Sequence, residues 1–461
     1  MINYNTHNNI EIYNKKITVI GLGVSGKAAA QLANYLGARV FASDIGNSKA
    51  ISTNAMDLMN NHIASETGIH SDKIFDADIW IVSPGIPKDS EIILKALDKN
   101  ILIVSEIEFA SWYTKTPIIA ITGSNGKTTT TNIISQMCNT NDLNGIIAGN
   151  MGIAFSERVL YEIQNPNPKN IFILEISSFQ MEFIQFFCPF IAVYTNISPD
   201  HLDRHGSLNN YLKMKLNMIK NMNDNGHIVY NKDDKRLSKS IQDNNKNIVP
   251  FSILSSNVMF KLNNNNIYDS NETSITTLDE IPLIGKHNLS NLLAGATAAK
   301  LIGVSNKNIS EVIKNFSGIE HRLEYIGSFN DIKYINDSKA TNIDSVKVAI
   351  KSFKQPIILI LGGKNKGADF RLLLPHIKSS HVRDIVSYGE AGEEILTAIR
   401  DAVRSINVVD LNSAVKAAQS LANPGDIILL SPGCASFDEF RNFEERGNYF
   451  KSIIKKYNIN D

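Results

Sequence analysis

Six consecutive residues, Gly123-Ser124-Asn125-Gly126-Lys127-Thr128, put a lysine and a hydroxyl directly behind a glycine turn. The apolar run "PIIAIT" precedes them, and a threonine-rich helix that includes Thr129 is expected to follow. This order suits polyphosphate binding. Backbone N–H groups and a helix N-terminus meet phosphate oxygens, Lys127 adds a point charge, and the Thr128 hydroxyl can face Mg²⁺. The spacing departs from GxxxxGK[ST], because Ile121 stands where the first glycine belongs. A turn with an incidental lysine is the plainer alternative, but strand, turn, Lys and Thr in sequence favour phosphate.

A second glycine turn lies upstream. Gly21-Leu22-Gly23-Val24-Ser25-Gly26 fits GxGxxG after "KITVI", and Asp44 ends the next apolar run at a dinucleotide-site separation. Three readings stay open for it: NAD, tight helix–strand packing, or another nucleotide carrying a pyrophosphate. Further on, Glu175 ends "IFILE" and Asn196 ends "IAVYTN" before "SPDHLDRHGS". A carboxylate at a strand end beside a phosphate loop suits a hard, oxygen-ligated cation, although such a Glu often only caps a helix. His201 sits near Asp200 and Asp203, where a lone histidine is more often structural than a ligand.

Lys215 is informative through its spacing. On a helix through "SLNNYLKMKLNMI", Leu208, Tyr211, Leu212, Lys215, Leu216 and Ile219 share one face, while Lys213 points away. An inward lysine needs a partner or a modification, unless its stem merely snorkels along the stripe. Near the end of the chain, "HRLEYIG", "NDSKATN", "LGGKNKGADF" and "SPGCASFDEFRNFEERG" repeat polar residues at expected strand ends. His321, Arg322, Asp337, Lys339, Lys366 and Ser436 are candidates for holding an anion.

Positioning these residues requires an α/β scaffold. Strands are expected at "KITVIG", "RVFASD", "IWIVSPG" and "ILIVSE", then at "PIIAITG", "NIFILE" and "FIAVYTN". Further strands are expected at "IKYIND", "QPIILILGG", "RDIVSYGE", "INVVD" and "GDIILLSPG". Short apolar strands ending in Gly, Asp or Pro suggest parallel βα units, whose ligands lie at the carboxyl ends. The Asn-rich stretch over about 225–280 reads as a surface β excursion with loops. At roughly 150 residues per domain, 461 residues suit about three domains. The boundaries fall at 1–112, 113–317 and 318–461.

Lys+Arg and Asp+Glu both total 46, which favours neither a nucleic-acid partner nor a membrane surface. Cys138, Cys188 and Cys434 are scattered, with no thiolate metal spacing, as suits a reducing compartment. No apolar run nears the ~18 residues of a membrane span, and the start lacks a signal-peptide core. A cytoplasmic protein is expected.

Taken in order, "GLGVSG", "SPGIP", "TGSNGKTT", "EISSFQ", "NISPDHLDRHGS", "YLKMK", "HRLE", "NDSKATN", "GGKNKG" and "SPGCASFDEFRNFEERG" resemble the Mur ligases from about Gly21 to Gly447. The segments "HRLE" and "SPGCASFDEF" are most similar to the members that add D-glutamate. The resemblance implies an N-terminal Rossmann-like domain, a central P-loop ATP-binding domain and a C-terminal Rossmann-like domain. It implies an ATP-dependent amide ligase, acting as a monomer on UDP-N-acetylmuramoyl-L-alanine and D-glutamate with Mg²⁺, two ions being expected. The first glycine loop then serves the UDP moiety, with Gly23, Ser25, Asp44 and Gly85, and the second serves ATP. Lys127 would hold phosphates; Thr128 and Glu175 would hold one Mg²⁺, and His201 with a carbamylated Lys215 the other. Asn150, Ser177 and His201 would face the substrate; Asn291, Arg322 and Asp337 would face ATP. Lys366, Ser436 and Phe443 would form the D-glutamate pocket, and Lys339 and Thr341 would also bind substrate. An NAD-dependent oxidoreductase leaves the second loop unexplained. The related folate ligases lack such a first domain, and a non-catalytic nucleotide-sugar module would not need Lys127, Glu175, His201 and Lys215 together.

Overall fold

A computed structural model describes residues 10–242, 246–283, 285–365 and 367–458. The chain forms two compact bodies. One comprises the described residues up to Ile281 together with His287–Asn315; the other comprises Pro282–Lys286 and the described residues from Phe316 onward.

The first body holds two parallel sheets. Strands β1 (Lys16–Ile20), β2 (Arg39–Asp44), β3 (Ala64–Thr67), β4 (Ile79–Val82) and β5 (Leu102–Ser105) lie in the order β3-β2-β1-β4-β5. The order reverses between β1 and β4, the crevice where open sheets bind ligands. Both loops there, Gly21–Gly26 and Ser83–Gly85, lie at carboxyl ends, and the Ser83 hydroxyl donates to Gly21 O at 3.1 Å. A Cβ at Gly26 would lie 1.8 Å from Gly21 O, so only glycine lets the helix Val24–Tyr35 start this close to the strand.

The second sheet holds β6 (Ile118–Thr122), β7 (Asn144–Gly149), β8 (Asn170–Glu175), β9 (Ile191–Tyr194), β10 (His227–Asn231) and β11 (Asn247–Phe251), in the order β11-β10-β9-β6-β8-β7. Every residue of β6, β8 and β9 is buried, as expected of strands covered on both faces. The expected surface excursion over 225–280 is narrower than its composition suggests. Ile228, Val229 and Tyr230 of β10 are core residues paired with β9, and only β12 (Phe260–Asn263), β13 (Asn266–Asp269) and β14 (Ser274–Thr277) form a separate antiparallel sheet. Flanking asparagines masked a three-residue apolar core.

The two sheets share one hydrophobic cluster, joined through Ile107, Phe109 and Trp112 to Phe155, Phe172 and Phe187. Glu108 pins the seam from the helix Glu106–Ser111. Its buried carboxylate accepts Trp112 Nε1 at 2.7 Å, Phe186 N at 2.7 Å and Phe187 N at 2.8 Å. The connection beyond is held by Glu162, which accepts the hydroxyls of Thr114 and Thr116.

The second body is a mixed sheet of β15 (Glu324–Phe329), β16 (Ile332–Asn336), β17 (Ile357–Gly362), β18 (Val382–Tyr388), β19 (Arg404–Val408) and β20 (Ile427–Gly433), in the order β15-β16-β20-β17-β18-β19. Only β15–β16 is antiparallel. β15 falls in the segment "HRLEYIG" that reads from sequence as a polar turn; its half-buried, alternating edge position leaves little apolar signal.

Glu108→Ala leaves two buried donors and one part-buried donor unsatisfied, the buried ones at about 1–3 kcal/mol each. Chemical denaturation is expected to show a loss of about 3 kcal/mol or more, and a loss under about 1 kcal/mol would mean that Glu108 does not hold the seam.

Candidate active site

The carboxyl ends of β6, β8 and β9 converge. Ile121 is in register with Glu175, and Thr122 with Tyr194, so the loops after the three strands emerge side by side. The loop after β6 is fastened by its neighbours. Asn125 N donates to Asn196 Oδ1 and Asn196 Nδ2 returns to Asn125 O, both at 2.9 Å. Thr195 Oγ1 also donates to Asn125 O at 2.6 Å, and Ser124 Oγ donates to Ser198 O at 2.9 Å. Asn196 therefore braces the loop. Gly126 is left-handed (φ 84°), and a Cβ there would lie 2.3 Å from Asn291 Oδ1, so Asn291 packs directly on the loop. Lys127 opens the helix Lys127–Cys138 and its Nζ donates to Gly123 O and Ser124 O at 3.0 Å each. Thr128 and Thr129 are buried behind it.

Glu175 is buried, with Oε1 accepting Asn150 Nδ2 at 2.9 Å. Its Oε2 is buried with no hydrogen-bond partner. A buried carboxylate oxygen that no protein donor satisfies fits a hard cation beside a phosphate loop. Asn150 is also tied by its backbone, N to Glu175 O at 2.7 Å, and Ser177 is turned onto Gln180 Oε1.

Lys215 lies on the helix Leu208–Leu216, which Ser207 caps by accepting Asn210 N. Tyr211, Leu212 and Lys215 are buried and Lys213 is exposed, as the spacing requires. Lys215 Nζ donates to Thr122 Oγ1 at 3.2 Å and sits 4.6 Å from the Tyr211 ring centroid. Burial pushes its pKa well below the usual lysine value; the Lys127 charge adds to this, while Asp200 and Glu175 oppose it.

His201 is not gathered with the others. It has a left-handed backbone (φ 50°), its side chain is 49% exposed, and Nε2 lies 3.6 Å from Asp200 Oδ2. Its ring meets Phe179 edge-on at 4.8 Å. Among the described residues no group of three or more His, Cys, Asp or Glu side chains is placed to hold a metal.

In the first domain Asp44 turns back onto the backbone. Its Oδ2 accepts Leu22 N at 2.6 Å and its Oδ1 accepts Gly46 N at 2.7 Å, so it shapes the glycine loop. Gly23 and Gly85 are exposed and Ser25 is half-buried beside it.

The third domain draws its motifs together by itself. Arg446, fully buried, was not singled out from sequence. Its Nε donates to Ser338 Oγ at 3.0 Å, Nη2 to Ser338 O at 2.8 Å and Cys434 O at 3.1 Å, and Nη1 to Ala435 O at 3.2 Å. It thereby clamps the loop carrying Lys339 and Thr341 to the loop carrying Ser436. Spacing could have found it, since Arg446, Phe450, Ile453 and Ile454 share a buried face of the helix Phe443–Asn458. Lys339 Nζ lies 5.6 Å from the Phe443 ring centroid. Asp337 accepts Ser431 Oγ at 2.8 Å and Leu323 N at 3.2 Å, holding the left-handed turn at His321 and Leu323. Burial raises the Asp337 pKa to about 7 against the opposing pull of Ser431, Arg322, Leu323 and Arg446. Lys366 lies outside the described residues.

The geometry gives three α/β domains with a braced glycine loop at the carboxyl ends of the middle sheet, and sequence comparison supplies the class. Residues 121–299 match the Mur ligase middle domain, 321–434 the Mur ligase glutamate ligase domain and 16–92 the MurD N-terminal domain. The UDP-N-acetylmuramoylalanine–D-glutamate ligase of Acidobacterium capsulatum is 38% identical over 96% of this chain and 97% of its own. The chain belongs to the Mur ligase family. Its fold is shared with the UDP-N-acetylmuramate-alanine ligase of Thermotoga maritima (TM-score 0.57, 18% identity, 97% of this chain and 100% of that one). It is also shared with MurF of Acinetobacter baumannii (TM-score 0.60, 15% identity, 95% and 93%). No helix among the described residues is long and apolar enough to cross a membrane.

Asp337 binds its proton more tightly folded than unfolded. Its stabilising contribution is therefore complete below about pH 4 and lost as pH rises toward about 7. Asparagine can keep both contacts without titrating, its Oδ1 accepting Leu323 N and its Nδ2 donating to Ser431 Oγ. The stability of wild type relative to Asp337→Asn, from denaturation at pH 5 and 7.5, is expected to fall across that interval; a pH-independent difference would place the pKa of Asp337 at its ordinary value.

Proposed function

We propose that this chain joins D-glutamate to UDP-N-acetylmuramoyl-L-alanine at the expense of ATP, a cytoplasmic step of peptidoglycan precursor synthesis. The observation that carries the reading is the open Oε2 of buried Glu175, at a braced phosphate loop on the body that also buries Lys215. Further support comes from the match of all three domains to one ligase family and from relatives named for this reaction. The domains are assigned to 1–112, 113–317 and 318–461, and the enzyme to a monomer.

A carboxylate is a poor electrophile, so the alanyl carboxylate is activated by attack on the γ-phosphate of ATP. The acyl phosphate is then opened by the amine of D-glutamate with loss of phosphate. Holding and neutralising the groups supplies most of such a phosphoryl transfer. The Gly123–Thr128 loop binds phosphates through its N–H groups, and Lys127 leaves its carbonyl partners to meet them. Asn291 keeps Gly126 in place. Thr128 and Glu175 would hold Mg²⁺, which supplies charge neutralisation on the phosphate oxygens. His201 and Lys215 would serve a second ion.

An ammonium has no acceptor and cannot ligate a cation. At ~4 Å from a dication, with effective dielectric ~20, it would be repelled by about 8 kcal/mol. Burial lowers the Lys215 pKa and so favours the uncharged amine, which can add carbon dioxide and release a proton to become an anionic carbamate. On the first domain Gly23, Ser25 and Gly85 face the UDP moiety; Asp44 acts through the loop it shapes. Asn150, Ser177 and His201 face the acyl end. Lys339, Thr341, Lys366, Ser436 and Phe443 are assigned to D-glutamate.

ADP release is expected to require both UDP-N-acetylmuramoyl-L-alanine and D-glutamate, with L-glutamate and diamino acids inert. Equal turnover with either of those would refute the substrate assignment.

Lys215→Ala is expected to fold, because it removes a buried polar group, but to lose about 100-fold or more in rate. Acetate or formate in the vacated space is expected to restore part of it, while Lys213→Ala stays near wild type. A fully active Lys215→Ala would show the lysine to be only structural.

A further inference from the structure

The turn that carries His201 is tied to the first domain through one side chain. Arg204 donates from Nη2 to Ile86 O at 2.8 Å and reaches Gly85 O from Nη1 at 3.5 Å. The same guanidinium grips Glu182 of the middle domain, Nε to Oε1 at 3.2 Å and Nη2 to Oε2 at 2.8 Å. The Glu182 side chain is only 3% exposed and that of Arg204 only 17%, so this is no ordinary solvated pair. The guanidinium carbon lies 5.2 Å from the Phe179 ring centroid. That ring also meets His201 edge-on at 4.8 Å and stacks on His205 at 5.5 Å, and His205 Nε2 is 2.9 Å from Ser178 Oγ. Arg204 N and His205 N close one turn onto His201 O at 3.2 and 3.1 Å. A left-handed backbone at a histidine persists only when its surroundings hold it. Here Phe179 and the turn do so, and Arg204 orders both.

We propose that Arg204 is a positioning residue that couples the first-domain loop at Gly85–Ile86 to the placement of His201 through Phe179. A substrate seated against Gly85 sets the two carbonyls that Arg204 reads, and the same guanidinium fixes the ring on which His201 leans. Binding of the nucleotide-sugar and assembly of the cation site are thereby linked. The inference rests on the proposed reaction, in which Gly85 faces substrate and His201 serves a cation.

The test is steady-state kinetics of Arg204→Ala, with UDP-N-acetylmuramoyl-L-alanine, ATP and Mg²⁺ varied separately. The KM for the nucleotide-sugar and the Mg²⁺ concentration at half-maximal rate are expected to rise together, each by about tenfold or more, with the KM for ATP within about twofold. Low concentrations of free guanidinium are expected to draw both constants back. A rate that falls only with the folded fraction, all three constants unchanged, overturns the coupling, as does a rise in one of the two linked constants alone. Should the alanine variant not fold, Arg204→Lys carries the same comparison. The three donors of an ammonium radiate from one nitrogen and do not reproduce the planar fork that spans Glu182 and Ile86 O, so unchanged constants overturn the proposal there too. Wild-type protein that releases no ADP with these substrates overturns the reaction itself, and does so before any variant is compared.

Discussion

A lysine amine sealed beneath a phosphate loop is the constraint around which the middle domain is arranged. Lys215 has one oxygen partner, Thr122 Oγ1, and an aromatic face, Tyr211. An ammonium there would lose most of its hydration and face Lys127 as well, so the neutral form is favoured. Glu175 presents the complementary problem, an acceptor oxygen with nothing to accept. A cation, with a carbamate at Lys215 as proposed, would relieve both. The bracing of Gly123–Gly126 by Thr195, Asn196 and Asn291 has the same logic: a loop that gathers anionic oxygens must be stiff before they arrive.

The first and middle domains are fastened by different means at different places. Apolar burial through Phe109 and Trp112 and the saturated carboxylate of Glu108 make the seam rigid. Arg204 adds a polar contact near the reacting groups, where a hydrogen bond to a carbonyl can follow small shifts of a loop. Glu106, two residues from Glu108, accepts Ser156 N at 2.5 Å, and burial raises its pKa to about 7. One helix thus carries a fully satisfied carboxylate and a carboxyl poised to hold its proton.

In the third domain a single buried guanidinium ties two loops together. Arg446 satisfies four oxygen acceptors on them, beside the small buried side chains of Ala340, Cys434 and Ala435. The antiparallel bridge between Lys364 and Ala435 brings in the loop after β17. The ends of β16, β17 and β20 are therefore held side by side, although up to about a hundred residues of chain separate them.

Period and order were legible in the sequence alone. Strand-length apolar runs ending in Gly, Asp or Glu identified most parallel strands. The helical spacing of Leu208, Tyr211, Leu212 and Lys215 identified the one lysine facing inward, because burial periodicity is a local property of a helix. The glycine turns, and the ligase family with its reaction, were readable for the same reason: short motifs keep their spacing. Edge strands such as β3 and β15 were not legible, since half-buried residues carry little hydrophobic signal. Nor were the partners of Asp44, which accepts a backbone N–H of the glycine loop on one oxygen and Gly46 N on the other. Glu108, Arg204 and Arg446 look like ordinary surface charges in the chain. Only the tertiary structure shows their partners, which lie 78, 118 and 108 residues away, and burial against those partners is what gives each its function.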